Sequence, residues 1–239
     1  MAPGFVACVA PTATKKSWLQ VIRALIFDFD GLILDTETSL IDAYADVHAA
    51  HGVAFDRGHF LRSVGHADYA FDPWHAFEKR ADRAALEIER RRRNRERDPL
   101  LPVLPGVAAL LDAARDSGVA VGLASNSGHA HVEGHLGRLG LLERFAVVAC
   151  REDVASPKPE PDLYRLALDR LGLRGVEAVA FEDSHTGSLA ARRAGLWVVA
   201  APNSSTAHHD FSQAHLKVAS LAEVDLPDLN LRFRTGRPG

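Results

Sequence analysis

Short apolar runs that close on polar or acidic residues recur along this chain. The first, Arg23 to Asp30 (RALIFDFD), ends on two acids before Gly31. Val119 to Ser125 runs into Asn126, and Phe145 to Ala149 into Cys150. Val176 to Phe181 runs into Glu182 and Asp183, and Leu196 to Ala201 into Pro202. Runs this apolar predict strands buried on both faces. Between them Gly106 to Ser117, Pro161 to Leu171 and Thr186 to Ala194 carry helical spacing, and each stops before a glycine. Strand and helix in alternation predict an α/β fold, a parallel sheet with helices on both faces. Ligands of such sheets lie beyond the carboxyl ends of the strands, where these polar residues fall.

The alternation breaks between about Ser39 and Leu104. Leu40 to His51 and Pro73 to Arg97 read as helices, and Gly52, Gly58, Gly65 and Pro73 punctuate them. An interruption of this length is too long for a simple loop. The expected organisation is a core domain built from residues 1–38 and 105–239, with an all-helical cap domain, 39–104, inserted after the first strand.

Composition narrows the class without naming a reaction. The 239 residues are 47% hydrophobic and 25% charged, as in a globular protein, with a net charge of −3. No global basic field recruits nucleic acid. No segment reaches the roughly 18 apolar residues that span a bilayer. The start, Met1 to Thr14, has no basic region ahead of its apolar stretch, so it reads as a frayed leader before the first strand. With only Cys8 and Cys150, a disulfide is not expected and a reducing cytoplasm fits.

Asp28 and Asp30 flank Phe29 at the end of the first strand, so alternation sends both carboxylates to one side. Two acids so close repel each other, and a bound cation relieves that repulsion. Glu182 and Asp183 end a later strand and could add oxygen ligands for a hard ion such as Mg2+, which also keeps positions for water and phosphate. Lys158 sits in SPKPEPDLY, where prolines on both sides stiffen the backbone. A fixed ammonium helps a carboxylate approach a phosphate dianion. Each charge pair at about 4 Å is worth about 4 kcal/mol at an effective dielectric near 20. Ser125 and Asn126 could hold phosphate oxygens together with the backbone N–H groups of the turn, or simply cap the next helix.

Taken together, DFDGLILDTE at 28–37, ASNS at 124–127, SPKPEPDLY at 156–164 and FEDSHTG at 181–187 resemble the motifs of the haloacid dehalogenase-like superfamily. The order matches its β-phosphoglucomutase-like branch, over about residues 22 to 220. The resemblance implies a Rossmann-like core, with Asp28 as a nucleophile that forms an aspartyl-phosphate and Asp30 as the acid and then the base. It implies Ser125 and Lys158 as phosphate holders. It implies a magnesium site made of Asp28, Glu182, Asp183 and the backbone carbonyl of Asp30. A phosphatase acting on a small phosphorylated metabolite, a sugar or polyol phosphate, is the expected activity. Dehalogenation has no use for Asp30 as a second acid. The mutases of the branch usually carry His where this chain has Leu40, and a cap arginine where it has Asp68.

Candidate substrate contacts are Glu37 in the first motif and Arg62, His66 and Asp68 in the cap segment, with Tyr69 and Trp74 as candidates that could equally pack the cap. The run Glu89 to Asp98 (ERRRRNRERD) reads as a solvated cap helix. A binding module that uses this run on an inactive scaffold is the non-enzymatic alternative. The intact set Asp28, Asp30, Lys158 and Asp183 speaks against it. A monomer is expected.

Overall fold

The computed structural model describes residues 22–63, 72–77 and 81–236, without the side chains of residues 62 and 63. Six parallel strands form one sheet in the order β3-β2-β1-β4-β5-β6. They are β1 (Ala24–Phe27), β2 (Ala120–Ala124), β3 (Val147–Ala149), β4 (Ala178–Glu182), β5 (Trp197–Ala200) and β6 (Leu216–Lys217). Strand β1 lies between β2 and β4, with Phe27 in register with both Leu123 and Phe181. The residues that follow these three strands therefore emerge side by side at one sheet edge.

Alternation within β1 explains why the run is apolar throughout. Leu25 and Phe27 join one core with Val107, Leu110 and Leu111 of α4 (Val107–Ser117), Val132 and Leu136 of α5 (His129–Arg138), and Leu229 and Phe233 of α8 (Leu226–Thr235). Ala24 and Ile26 join the opposite core with Leu163, Tyr164 and Ala167 of α6 (Asp162–Leu171) and Ala190 and Ala191 of α7 (His185–Arg193). Both faces of the strand exclude water, and each large apolar side chain buried this way contributes about 1.5–3 kcal/mol. The Phe27 and Phe181 rings stack at 4.8 Å between centroids across the β1–β4 pair.

Between β1 and α4, the described residues form helices and no strand: α1 (Thr36–Ala50), α2 (Arg57–Ser63), a short 3-10 turn (His75–Phe77) and α3 (Arg83–Arg97). Val47, Trp74, Phe77 and Leu86 make a separate small core there. Trp74 is buried and stacks on His48 at 5.5 Å, so it packs this core instead of facing a substrate.

Six elements differ from expectation. Helix α1 starts at Thr36, ahead of Leu40, because Asp35 caps it by accepting from the Thr38 N–H. Helix α3 starts at Arg83, where Asp82 accepts from the Ala84 N–H, and does not run continuously from Pro73. Strand β6 and helices α2, α5 and α8 are additions, and the last two hold apolar residues that complete a face of the sheet. Residues 64–71, with the candidates His66, Asp68 and Tyr69, lie outside the described residues, as does the leader.

Candidate active site

The turn after β1 places two carboxylates in opposite surroundings. Asp28 faces Lys158, whose Nζ donates to Asp28 Oδ1 at 2.7 Å and to Glu182 Oε1 at 2.7 Å. The Tyr164 hydroxyl also donates to Glu182 Oε1. Burial lifts Asp28 to a pKa of about 7; the Glu182 charge pushes the same way and Lys158 opposes it. For Lys158 burial works against the charge, but Asp28 and Glu182 hold its pKa above the ordinary lysine range.

Asp30 is wired differently. It accepts from Thr36 Oγ1 at 2.6 Å and Ser127 Oγ at 2.5 Å, and its Oδ1 lies 2.9 Å from His131 Nε2. Burial works to raise its pKa, but the hydrogen bonds from His131, Ser127 and Thr36 prevail and hold it below the usual carboxylate range. The same contact raises the proton affinity of His131. The early start of α1 brings Thr36 here, and α5 brings His131.

Asp28, Glu182 and Asp183 each offer a carboxylate oxygen within 4.8 Å of the others, and all three are buried. Asp183 is driven well above the ordinary range by burial and by the charges of Glu37, Asp28 and Glu182. Asn203 Nδ2 fixes it from behind at 2.9 Å and also donates to the Gly31 carbonyl at 3.0 Å. Gly31 has φ +77°, and a Cβ there would lie 2.3 Å from Asp183 Oδ2, so the turn requires glycine. A crowded all-oxygen set, short of positive charge, fits a hard divalent cation. The Asp30 side chain is spent on Thr36, Ser127 and His131, which leaves its backbone carbonyl as the group it could offer a metal.

Ser125 is buried beyond β2, and its Oγ accepts from the Ser127 N–H at 3.0 Å. Asn126 does not present its amide to the site. Its Oδ1 accepts from Lys158 N at 2.9 Å and its Nδ2 donates to Lys158 O at 3.0 Å. It is a clamp that presents the lysine, and its backbone N–H is what it can offer an anion. Glu37 lies next to the acids with Oε2 buried and without a hydrogen-bond partner. Burial, then the charges of Asp30 and Asp28, raises its pKa to about 8. Arg62 belongs to α2, whose described backbone is all that places it.

A cavity of about 540 Å³ opens from Asp30. It is lined on the core side by Thr36, Ser127 and His131 and on the cap side by Arg90, Arg91, Asn94, Arg95 and Asp98, with Glu37 and Leu40 between. Thr36, Ser127, His131, Tyr164 and Asn203 were not singled out from the sequence. Thr36 and Ser127 sat inside motifs already recognised, whereas nothing in the chain pairs His131 or Asn203 with acids about 100 and 20 positions away.

A parallel α/β sheet with a carboxylate, a buried lysine and an acidic cluster at its carboxyl edge defines an enzyme of the group-transfer or hydrolase class. The profile of the haloacid dehalogenase-like hydrolases matches residues 22–195, and the chain belongs to that family. It is 40% identical over 210 residues to the Bacillus subtilis protein named "Putative phosphatase YhcW", covering 86% of this chain and 95% of that one. It is 32% identical over 224 residues to hexitol phosphatase B of Escherichia coli K12, covering 87% and 96%. The crystal structure of CbbY from Rhodobacter sphaeroides in complex with phosphate superposes with a TM-score of 0.66 at 29% identity, covering 84% and 96%.

Proposed function

We propose that the chain is a magnesium-dependent phosphatase that hydrolyses small phosphorylated sugars or polyols through a phosphoenzyme on Asp28. The observation that carries this reading is the split between Asp28 and Asp30. They lie two residues apart, yet one shares a lysine with an acidic cluster and the other is held by three neutral or protonated donors. A reaction with separate nucleophile and proton-transfer roles suits such a pair.

In this reading Asp28 attacks phosphorus in line, and Lys158 and Ser125 hold the phosphoryl oxygens. Asp28, Glu182, Asp183 and the Asp30 carbonyl would hold Mg2+, which supplies charge stabilisation at those oxygens. The leaving oxygen takes its proton from the Asp30–His131 pair, which stores one on the imidazole. Asp30, held as a carboxylate, then takes a proton from the water that opens the aspartyl-phosphate. The helices of 39–104 act as a cap whose α3 roofs the leaving-group cavity. Hexitol phosphatase B among the relatives supports the substrate class. A monomer in a reducing cytoplasm belongs to the same proposal, and the Cys150 thiol is free and buried.

The test is phosphate release from a panel of sugar and polyol phosphates with magnesium, beside product analysis for β-glucose 1-phosphate. Free phosphate in proportion to enzyme, with no bisphosphate required, is expected. Conversion of that sugar to glucose 6-phosphate, with little phosphate released and stimulation by glucose 1,6-bisphosphate, would establish a mutase instead.

A further inference from the structure

The loop after β5 is built around one amide. Asn203 Oδ1 accepts from the Ser205 N–H at 2.7 Å and the Thr206 N–H at 3.2 Å. The Asn203 N–H in turn donates to Thr206 Oγ1 at 3.1 Å. Ser205 and Thr206 are both buried, so the turn is held from inside the fold. The two N–H donors decide which end of the amide carries the oxygen, and Nδ2 faces the other way. There both of its hydrogens are engaged, one on Asp183 Oδ2 at 2.9 Å and one on the Gly31 carbonyl at 3.0 Å. A single neutral side chain thus ties together the turns that follow β1, β4 and β5.

The tie leaves Asp183 with one usable oxygen. Oδ2 is walled in by the amide and by Gly31, where a Cβ would lie 2.3 Å from Oδ2 and 2.5 Å from Asn203 Nδ2. Oδ1 accepts no hydrogen bond among the described residues, so it is the oxygen left for an ion. Magnesium and calcium differ in what they ask of a carboxylate. Magnesium takes six single oxygens at about 2.0–2.1 Å in near-octahedral array, whereas calcium takes about six to eight at longer distances and accepts both oxygens of one carboxylate. A carboxylate pinned through Oδ2 cannot swing to offer both. We infer that Asn203 sets the ion preference of the site, holding Asp183 to a single oxygen and so favouring magnesium over calcium. This rests on the magnesium reading of the acidic cluster and adds to it a positioning residue that is not itself a ligand.

Calorimetric titration with Mg2+ and with Ca2+, without substrate and at one pH, separates this from turnover. Asn203→Ser keeps a short hydroxyl that can accept from the Ser205 N–H but does not reach Asp183. It should shift the ratio of magnesium to calcium affinity toward calcium by about fivefold or more, chiefly by weakening magnesium. Asn203→Asp keeps an oxygen for the whole turn and replaces the donor with an acceptor. It should move the ratio the same way, and it decides the matter if the serine variant does not fold. Ser220→Ala removes the hydroxyl that accepts from the Ala222 N–H, far along the chain from the acids, and serves as a control for mere destabilisation. It should leave the ratio within twofold of the unaltered chain. A ratio unmoved by both Asn203 variants, or moved toward magnesium, overturns the inference while leaving the magnesium reading intact. An unaltered chain that binds neither ion would strike the magnesium reading, and the inference with it.

Discussion

Two carboxylates separated by one residue behave as different reagents because their neighbours differ. Asp28 keeps a high proton affinity in a buried acidic cluster that Lys158 only partly neutralises. Asp30 accepts from three donors and stays ionised. Replacing Asp28 with Asn preserves shape and removes the nucleophile. Turnover is expected to fall at least about a hundredfold, near 2.7 kcal/mol of barrier, with circular dichroism unchanged. Retention of a tenth of the rate by the Asp28→Asn enzyme in a steady-state phosphate assay would assign the attack to another group.

Elements matter here by where they begin. Asp35 starts α1 early enough to put Thr36 on Asp30, and Asp82 starts α3 so that its cavity face carries Arg91 and Arg95. Helix α4 depends on Gly106, which has φ +91° and whose absent Cβ would lie 2.1 Å from the Leu221 backbone. An alanine there meets a left-handed backbone and a main-chain collision that no rotamer relieves. Gly106→Ala should therefore destabilise the fold by at least about 2 kcal/mol. Urea unfolding monitored by tryptophan fluorescence measures it, and a change below about 0.5 kcal/mol would mean that the 221–223 turn yields freely. The 3-10 turn at Leu221–Glu223 leads into α8, so the same contact also seats the helix that buries Leu229 and Phe233.

For the whole molecule, the acidic cluster links metal, protons and stability. Asp28 and Asp183 bind protons more tightly in the folded chain than a free carboxylate does. For an acid whose folded pKa is raised, the folded state holds more protons than the unfolded one between the two values. The metal-free fold therefore loses stability from these groups as pH rises from about 4 toward 7. A divalent cation must displace those protons, so its affinity should rise with pH over the same window and each binding event should release protons. Magnesium titrations at pH 5.5, 6.5 and 7.5 in two buffers of different ionisation enthalpy read both effects. Chelator should abolish turnover, magnesium restore it and calcium restore it poorly, because calcium prefers more ligands at longer distances. Affinity independent of pH would show that the acids do not bind the ion.

The strand runs, the parallel sheet and the acids at its carboxyl edge were legible in the chain because each rests on local information, whereas the strand order came from the fold. An apolar run that ends in Asp-Phe-Asp-Gly needs no partner to be read. The helices α5 and α8 were not marked out as such, since His129–Arg138 and Leu226–Thr235 interleave apolar residues with histidines, glycines and charges whose burial only the sheet creates. The same limit governs the site. Sequence placed Asp28, Asp30, Lys158 and Asp183 at one edge, but an amide such as Asn126 caps, clamps or binds according to what lies opposite, and here that is the Lys158 peptide, 32 positions away. His131 beside Asp30 and the arginines of α3 over the cavity are likewise products of packing. Hydrophobic periodicity fixes which face of a helix is covered, whereas the partner of a polar side chain is chosen by chain segments that meet only in the folded molecule.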